Sequence, residues 1–155
     1  MLWKRTTIDD WLADLQRVYV RYDPDSTILA GFSYGAMTAL VAAAKLNPAE
    51  LWCFSLSPYF HEDLKNSKMK QTWLDQIGVR RVRAFDKLVF TKLSRAINCK
   101  TLLFVGQKEI NKYPIIDDRA KEAHALLKHN QLIVISGAGH DVSHPQYRQA
   151  IERAI

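Results

Sequence analysis

Cysteine is scarce in this sequence, with only Cys53 and Cys99 present. Two cysteines do not make a disulfide framework, and Cys53 lies in an apolar run where it reads as a small buried hydrophobe. A reducing compartment is expected. No stretch approaches the roughly 20 apolar residues that a membrane-spanning helix needs. The first residues, MLWKRTTIDDW, lack the apolar centre of a signal peptide. The expected location is therefore cytoplasmic. Internal repeats, low-complexity tracts and linkers are missing, so the 155 residues are expected to form one domain. No G-x-x-x-x-G-K-[ST] and no dinucleotide fingerprint occur, and no cofactor is expected. His140 and His144 are four apart, but Pro145 and a loop context deny them a shared helical face. With H-E-x-x-H also missing, no metal is expected.

What is present suits a soluble globular chain. Hydrophobic residues make up 48% and charged residues 25%, enough to build a core beneath a solvated surface. The net charge of +6 is local. Residues 61–100 hold ten Lys/Arg against four acids (Glu62, Asp63, Asp75, Asp86), which is the whole excess. Such a segment reads first as a solvated helical face, and second as a surface for an acidic partner. The run GVRRVR (78–83) has no nucleic-acid-binding fold around it, so nucleic acid is not an expected partner.

Periodicity organises the chain. Thr7 and Asp10 have capping-box spacing, and Trp11, Leu15, Val18 and Tyr22 follow at helical intervals up to Asp23-Pro24-Asp25. Residues 27–30 form a short apolar strand, 36–44 a strong helix former closed by Asn47-Pro48, and 51–56 a second strand ending at Ser57-Pro58. The basic segment reads as two or three short helices broken at Gly78. Its residues Trp73, Ile77, Val79, Val82, Phe85, Leu88 and Phe90 offer an apolar underside. Residues 101–105 form a third strand ending at Gly106, 117–129 a helix, 131–135 a fourth strand, and Pro145 opens a final helix. The strands are continuous apolar runs, which calls for burial on both faces. The fold class is α/β, with a parallel sheet flanked by helices.

The run Gly31-Phe32-Ser33-Tyr34-Gly35 then falls between a strand and a helix. A sharp turn there needs small neighbours, which Gly31 and Gly35 supply. It would lift the Ser33 hydroxyl above the carboxyl end of the sheet, in front of a helix N-terminus. A serine needs a base. Of the five histidines, His124 and His129 fall on the expected surface helix. His140, in Ser136-Gly137-Ala138-Gly139-His140, follows the fourth strand and so lies at the same sheet edge as Ser33. Among the acids, Glu109 also leaves a strand's carboxyl end. Asp117 and Asp118 read as helix N-terminal acids, and Asp141 is too close in sequence to face His140. Tyr34, Tyr59 and Phe60 fall near strand ends and could line a pocket or pack the core.

Taken in order, Gly31-Phe32-Ser33-Tyr34-Gly35, the Gly106-x-x-Glu109 turn and Gly137-Ala138-Gly139-His140 resemble the α/β-hydrolase superfamily. The resemblance implies a serine hydrolase of carboxylic esters or thioesters working through an acyl-enzyme. Ser33 would be the nucleophile, Glu109 the acid, His140 the base and the Tyr34 N–H an oxyanion donor. Members more often carry Asp at the acid position. The basic stretch, residues 61–98, stands where the family places its lid.

One departure is large. Members usually carry several strands and a helix before the nucleophile strand, whereas 26 residues precede Thr27 here, and no HGGG-like stretch occurs. The missing part would supply the second oxyanion donor, worth about 3 kcal/mol. The chain thus resembles a hydrolase reduced at its amino terminus. The alternative is a catalytically weak or inactive binding or assembly module. The 27–30 strand would then be a bare edge, to be covered by residues 1–6, a second copy or another polypeptide. A homo-oligomer is expected.

Overall fold

The computed structural model describes residues 6–155; residues 1–5 of the segment named above as an edge cover lie outside the described residues. Four strands form a parallel sheet in the order β1-β2-β3-β4: β1 Ile28–Phe32, β2 Glu50–Phe54, β3 Lys100–Gly106 and β4 Asn130–Ile135. Each strand pairs with the next in sequence, so every connection is a helical crossover. Side chains alternate between two cores. Leu29, Leu51, Cys53 and Leu103 face one, together with α2 (Tyr34–Leu46). Trp52, Phe54, Leu102 and Phe104 face the other, beneath Tyr147 of α8 (Pro145–Ala154). Burial on both faces explains the unbroken apolar runs of β2 and β3, whereas β1 and β4, at the ends of the strand order, are only partly buried. Among the described residues, no helix is long and apolar enough to cross a membrane.

The first helix, α1 (Ile8–Tyr19), starts where its capping residues place it: Thr7 is the N-cap, and its N–H donates to Asp10 Oδ2 at 2.7 Å. It ends earlier than the proline predicts. The N–H groups of Val20, Arg21 and Tyr22 bond back to Gln16, Val18 and Tyr19, tightening the last turn before Asp23. The buried face therefore runs through Ile8 and Tyr19, while Val18 and Tyr22 are exposed.

Between β2 and β3 lie α3 (Ser67–Ile77), α4 (Val79–Phe85) and α5 (Phe90–Ala96), broken at Gly78 with φ 83°. Trp73, Val82, Phe85 and Phe90 are buried as expected, whereas Val79, at the first position of α4, is exposed. Two tethers fix this segment. Glu62 accepts the Phe90 and Thr91 N–H groups at 2.9 and 3.1 Å, capping α5. Asp63 pairs with buried Arg119, whose guanidinium lies 4.0 Å from the Phe90 ring centroid. Phe60 is fully buried beside Phe90 and belongs to the core, not to a pocket wall.

Two further elements correct the sequence reading. Residues 107–112 form a short helix, α6 (Gln107–Lys112), so Glu109 sits on a helix rather than in a turn. The next helix, α7, spans Pro114–Leu126, not 117–129. Proline supplies its first residue, where no N–H is needed, and Leu127 is already extended and buried. Lys128 and His129 lie beyond it.

Candidate active site

Ser33 joins β1 to α2 at φ 56°, ψ −117°, a conformation that costs a non-glycine residue about 1–3 kcal/mol. Its N–H is tied to Phe54 O at 2.9 Å, and its carbonyl accepts the Ala36 N–H at 3.0 Å. The turn is tight because Gly31 lacks a side chain. A Cβ there would lie 2.1 Å from the Gly35 carbonyl oxygen. Gly35 itself has open space where its Cβ would be, so its smallness is not set by a contact of its own. Gly31→Ala is expected to destabilise the fold by about 3 kcal/mol, because the clash is with backbone. Urea denaturation checks this; an unchanged midpoint would contradict the close approach.

Glu109 and His140 meet across two strand ends. His140 Nδ1 lies 2.7 Å from Glu109 Oε1; the carboxylate is buried and the imidazole half-exposed. A carboxylate only accepts, so Nδ1 carries the proton and Nε2 is left free. The loop bearing His140 is drawn onto α6 by Lys108 N–H, which donates to Ala138 O at 2.8 Å. Gly106 permits this: a Cβ on it would lie 2.6 Å from that same oxygen. The Phe32 ring packs against the imidazole in a tilted arrangement, 4.5 Å centroid to centroid.

The competing groups are engaged elsewhere. Asp117 pairs with Lys121 at 2.6 Å. Asp141 accepts from the Ser143 N–H and hydroxyl at 2.9 and 2.6 Å, and these bonds hold its carboxyl below the usual carboxylate range. His144 caps α8 by accepting the Gln146 N–H at 3.3 Å.

Ser33, Glu109 and His140 open onto one cavity of about 430 Å³. The Ser33 hydroxyl, however, makes its hydrogen bond to Ser57 Oγ, at 3.1 Å, and not to His140. The apolar wall comes from Tyr34, Tyr59, Trp73, Ile115 and Ile116. Tyr59 packs, with tilted rings, between Tyr34 (5.0 Å) and Trp73 (4.3 Å), so α3 forms part of the cavity. Burial pushes the Tyr59 phenol well above its ordinary value. The Tyr34 N–H, first in α2, has no intrahelical partner and lies beside the serine.

Sequence reasoning missed four residues here: Phe32, Ser55, Ser57 and Tyr147. Ser55 left a trace, as a polar residue within the apolar run Leu51-Trp52-Cys53-Phe54-Ser55-Leu56. It is fully buried, and its hydroxyl donates to Glu109 Oε2 at 2.6 Å.

No protein-family model matches the chain, and no curated protein does. Solved structures do. An alpha/beta hydrolase enzyme from the metagenome of lagoon sediments at Mar Chica, Morocco, superposes with a TM-score of 0.71 at 18% identity, over 96% of this chain and 69% of that one. A carboxylesterase structure from the thaumarchaeon Nitrososphaera gargenis gives 0.65 at 16% identity, over 96% and 71%. A bromoperoxidase from Bacillus anthracis gives 0.67 at 12% identity, over 96% and 72%. The chain has the α/β-hydrolase fold and spans 69–72% of these neighbours' length. Their different names leave the chemistry to be argued from the site.

Proposed function

We propose that this α/β-hydrolase-fold chain is a serine hydrolase that cleaves carboxylic esters or thioesters through an acyl-enzyme. One observation carries the reading: a buried carboxylate holds an imidazole by its Nδ1, and both share a cavity with a serine on a strained strand-to-helix turn. Ser33 Oγ attacks the acyl carbonyl and His140 Nε2 takes its proton. Glu109 fixes the tautomer and stabilises the imidazolium. The oxyanion falls to the Tyr34 N–H at the start of α2. His140 then protonates the leaving oxygen or sulfur, and water, activated the same way, releases the acid. On substrate entry the Ser33 hydroxyl turns from Ser57 to His140. Residues 61–98 act as a lid, whose Trp73 packs with Tyr59 against the acyl part. An apolar wall favours added methylenes by about 0.8 kcal/mol each. The value of kcat/KM is therefore expected to rise about tenfold from p-nitrophenyl acetate to butyrate. No hydrolysis of either ester would contradict the proposal.

The same reading extends to assembly. Among the described residues β1 pairs only with β2, leaving its other edge open. An apolar groove of about 390 Å³ runs beside it, lined by Trp11, Leu15, Leu29 and Ala30, and Ile28 and Val18 are exposed nearby. An open edge with bare apolar flanks favours pairing. We expect a two-fold homodimer through β1 and α1. Light scattering at micromolar concentration decides it; a stable monomer of 17.8 kDa contradicts it.

A further inference from the structure

Three non-glycine residues have positive φ among the described residues: Ser33, Asn47 and Ser55. Ser33 makes the turn above, and Asn47 is the left-handed C-cap of α2. Ser55, at φ 50°, has neither reason. It follows β2, is fully buried, and its N–H donates to Phe104 O at 2.7 Å. Glycine is the unstrained residue for such a backbone. A serine held there points to a task for the hydroxyl.

The hydrogen bonds name the task. Ser55 Oγ donates to Glu109 Oε2 at 2.6 Å. A hydroxyl has one proton, so its 3.1 Å contact with Tyr147 is donated by the phenol. Tyr147 is fully buried on α8 and keeps that proton. Burial pushes its phenol up to about 12, Glu109's charge adds to the rise, and the Ser55 contact opposes it. The chain of donors runs Tyr147 to Ser55 to Glu109, with His140 donating to the carboxylate's other oxygen.

We propose that Ser55 and Tyr147 are positioning residues that hold Glu109 against His140, an inference that rests on the Ser-His-Glu reading. A glutamate reaches further than an aspartate and has one more rotatable bond. Holding one carboxylate oxygen would leave the group free to swing, and the second buried oxygen without a donor. The Ser55 hydroxyl removes both problems, and Tyr147 fixes the direction in which that hydroxyl points.

Ser55→Gly separates this role from a structural one, because glycine relieves the positive φ while removing the hydroxyl. The expected result is a melting temperature close to that of the wild type. The value of kcat should fall about 10- to 100-fold with KM within about twofold, the range for lost supporting bonds. The downfield proton NMR signal of the His140–Glu109 hydrogen bond should be lost or shifted. Tyr147→Phe should give a smaller loss in the same direction. A wild-type kcat in Ser55→Gly overturns the proposal, and so does a fall in kcat with an unchanged imidazole signal. If Ser33→Ala is fully active the hydrolase reading fails, while the imidazole signal of Ser55→Gly still decides the positioning claim.

Discussion

Ser33→Ala is expected to lower kcat for p-nitrophenyl butyrate by about 10⁵-fold or more, with no loss of fold. The size follows from the division of labour. Without Oγ no acyl-enzyme forms, and only the Tyr34 N–H and binding remain to assist direct attack by water. The fold should survive because the turn makes the same demand on alanine as on serine. Both are L residues at φ 56°, and the backbone ties to Phe54 and Ala36 do not involve the hydroxyl. The Ser57 hydrogen bond is lost, but Ser57 remains free to bond water in the cavity. Circular dichroism melting alongside the rate measurement separates the two effects. Full activity in a folded Ser33→Ala protein would remove the nucleophile assignment.

Glu109→Gln is expected to cost about 10⁴-fold in kcat, and Asp117→Asn less than about twofold. The glutamine amide has no choice of orientation here. The Ser55 hydroxyl donates to Oε2, so the amide carbonyl must take that place and its NH₂ must face His140. Nδ1 would then have to accept a hydrogen bond, leaving the proton on Nε2, where the base must be free. Asp117 instead pairs with Lys121 on the surface, and removing one such pair changes little. A large loss in Asp117→Asn with none in Glu109→Gln would move the acid to α7.

The sheet was legible because its evidence is local. Each strand is an apolar run bounded by Pro, Gly or Asn, and each pairs with its sequence neighbour. Ser33, Glu109 and His140 could be singled out because a parallel sheet brings every strand's carboxyl end to one edge. The residues that orient them could not. Ser55 meets Glu109 across 54 positions and Tyr147 across 92, and no spacing rule reaches that far. Phe32 stood in a variable position of the G-x-S-x-G run, and only packing reveals it against His140. Helix limits failed for a different reason. At α7 the acids Asp117 and Asp118 suggest the start, whereas Pro114 at the first position sets it three residues earlier. At α1 the last turn tightened before the proline was reached.

A fluorophosphonate probe tests the central claim most directly, because it reacts with a serine only where the hydroxyl, base and oxyanion donor are assembled together. The account predicts a single covalent adduct on the intact wild-type protein, mapped by peptide mass spectrometry to Ser33. Labelling should be lost in Ser33→Ala and slowed strongly in Glu109→Gln. A wild-type protein that is folded yet unlabelled, or labelled at a residue other than Ser33, would contradict it.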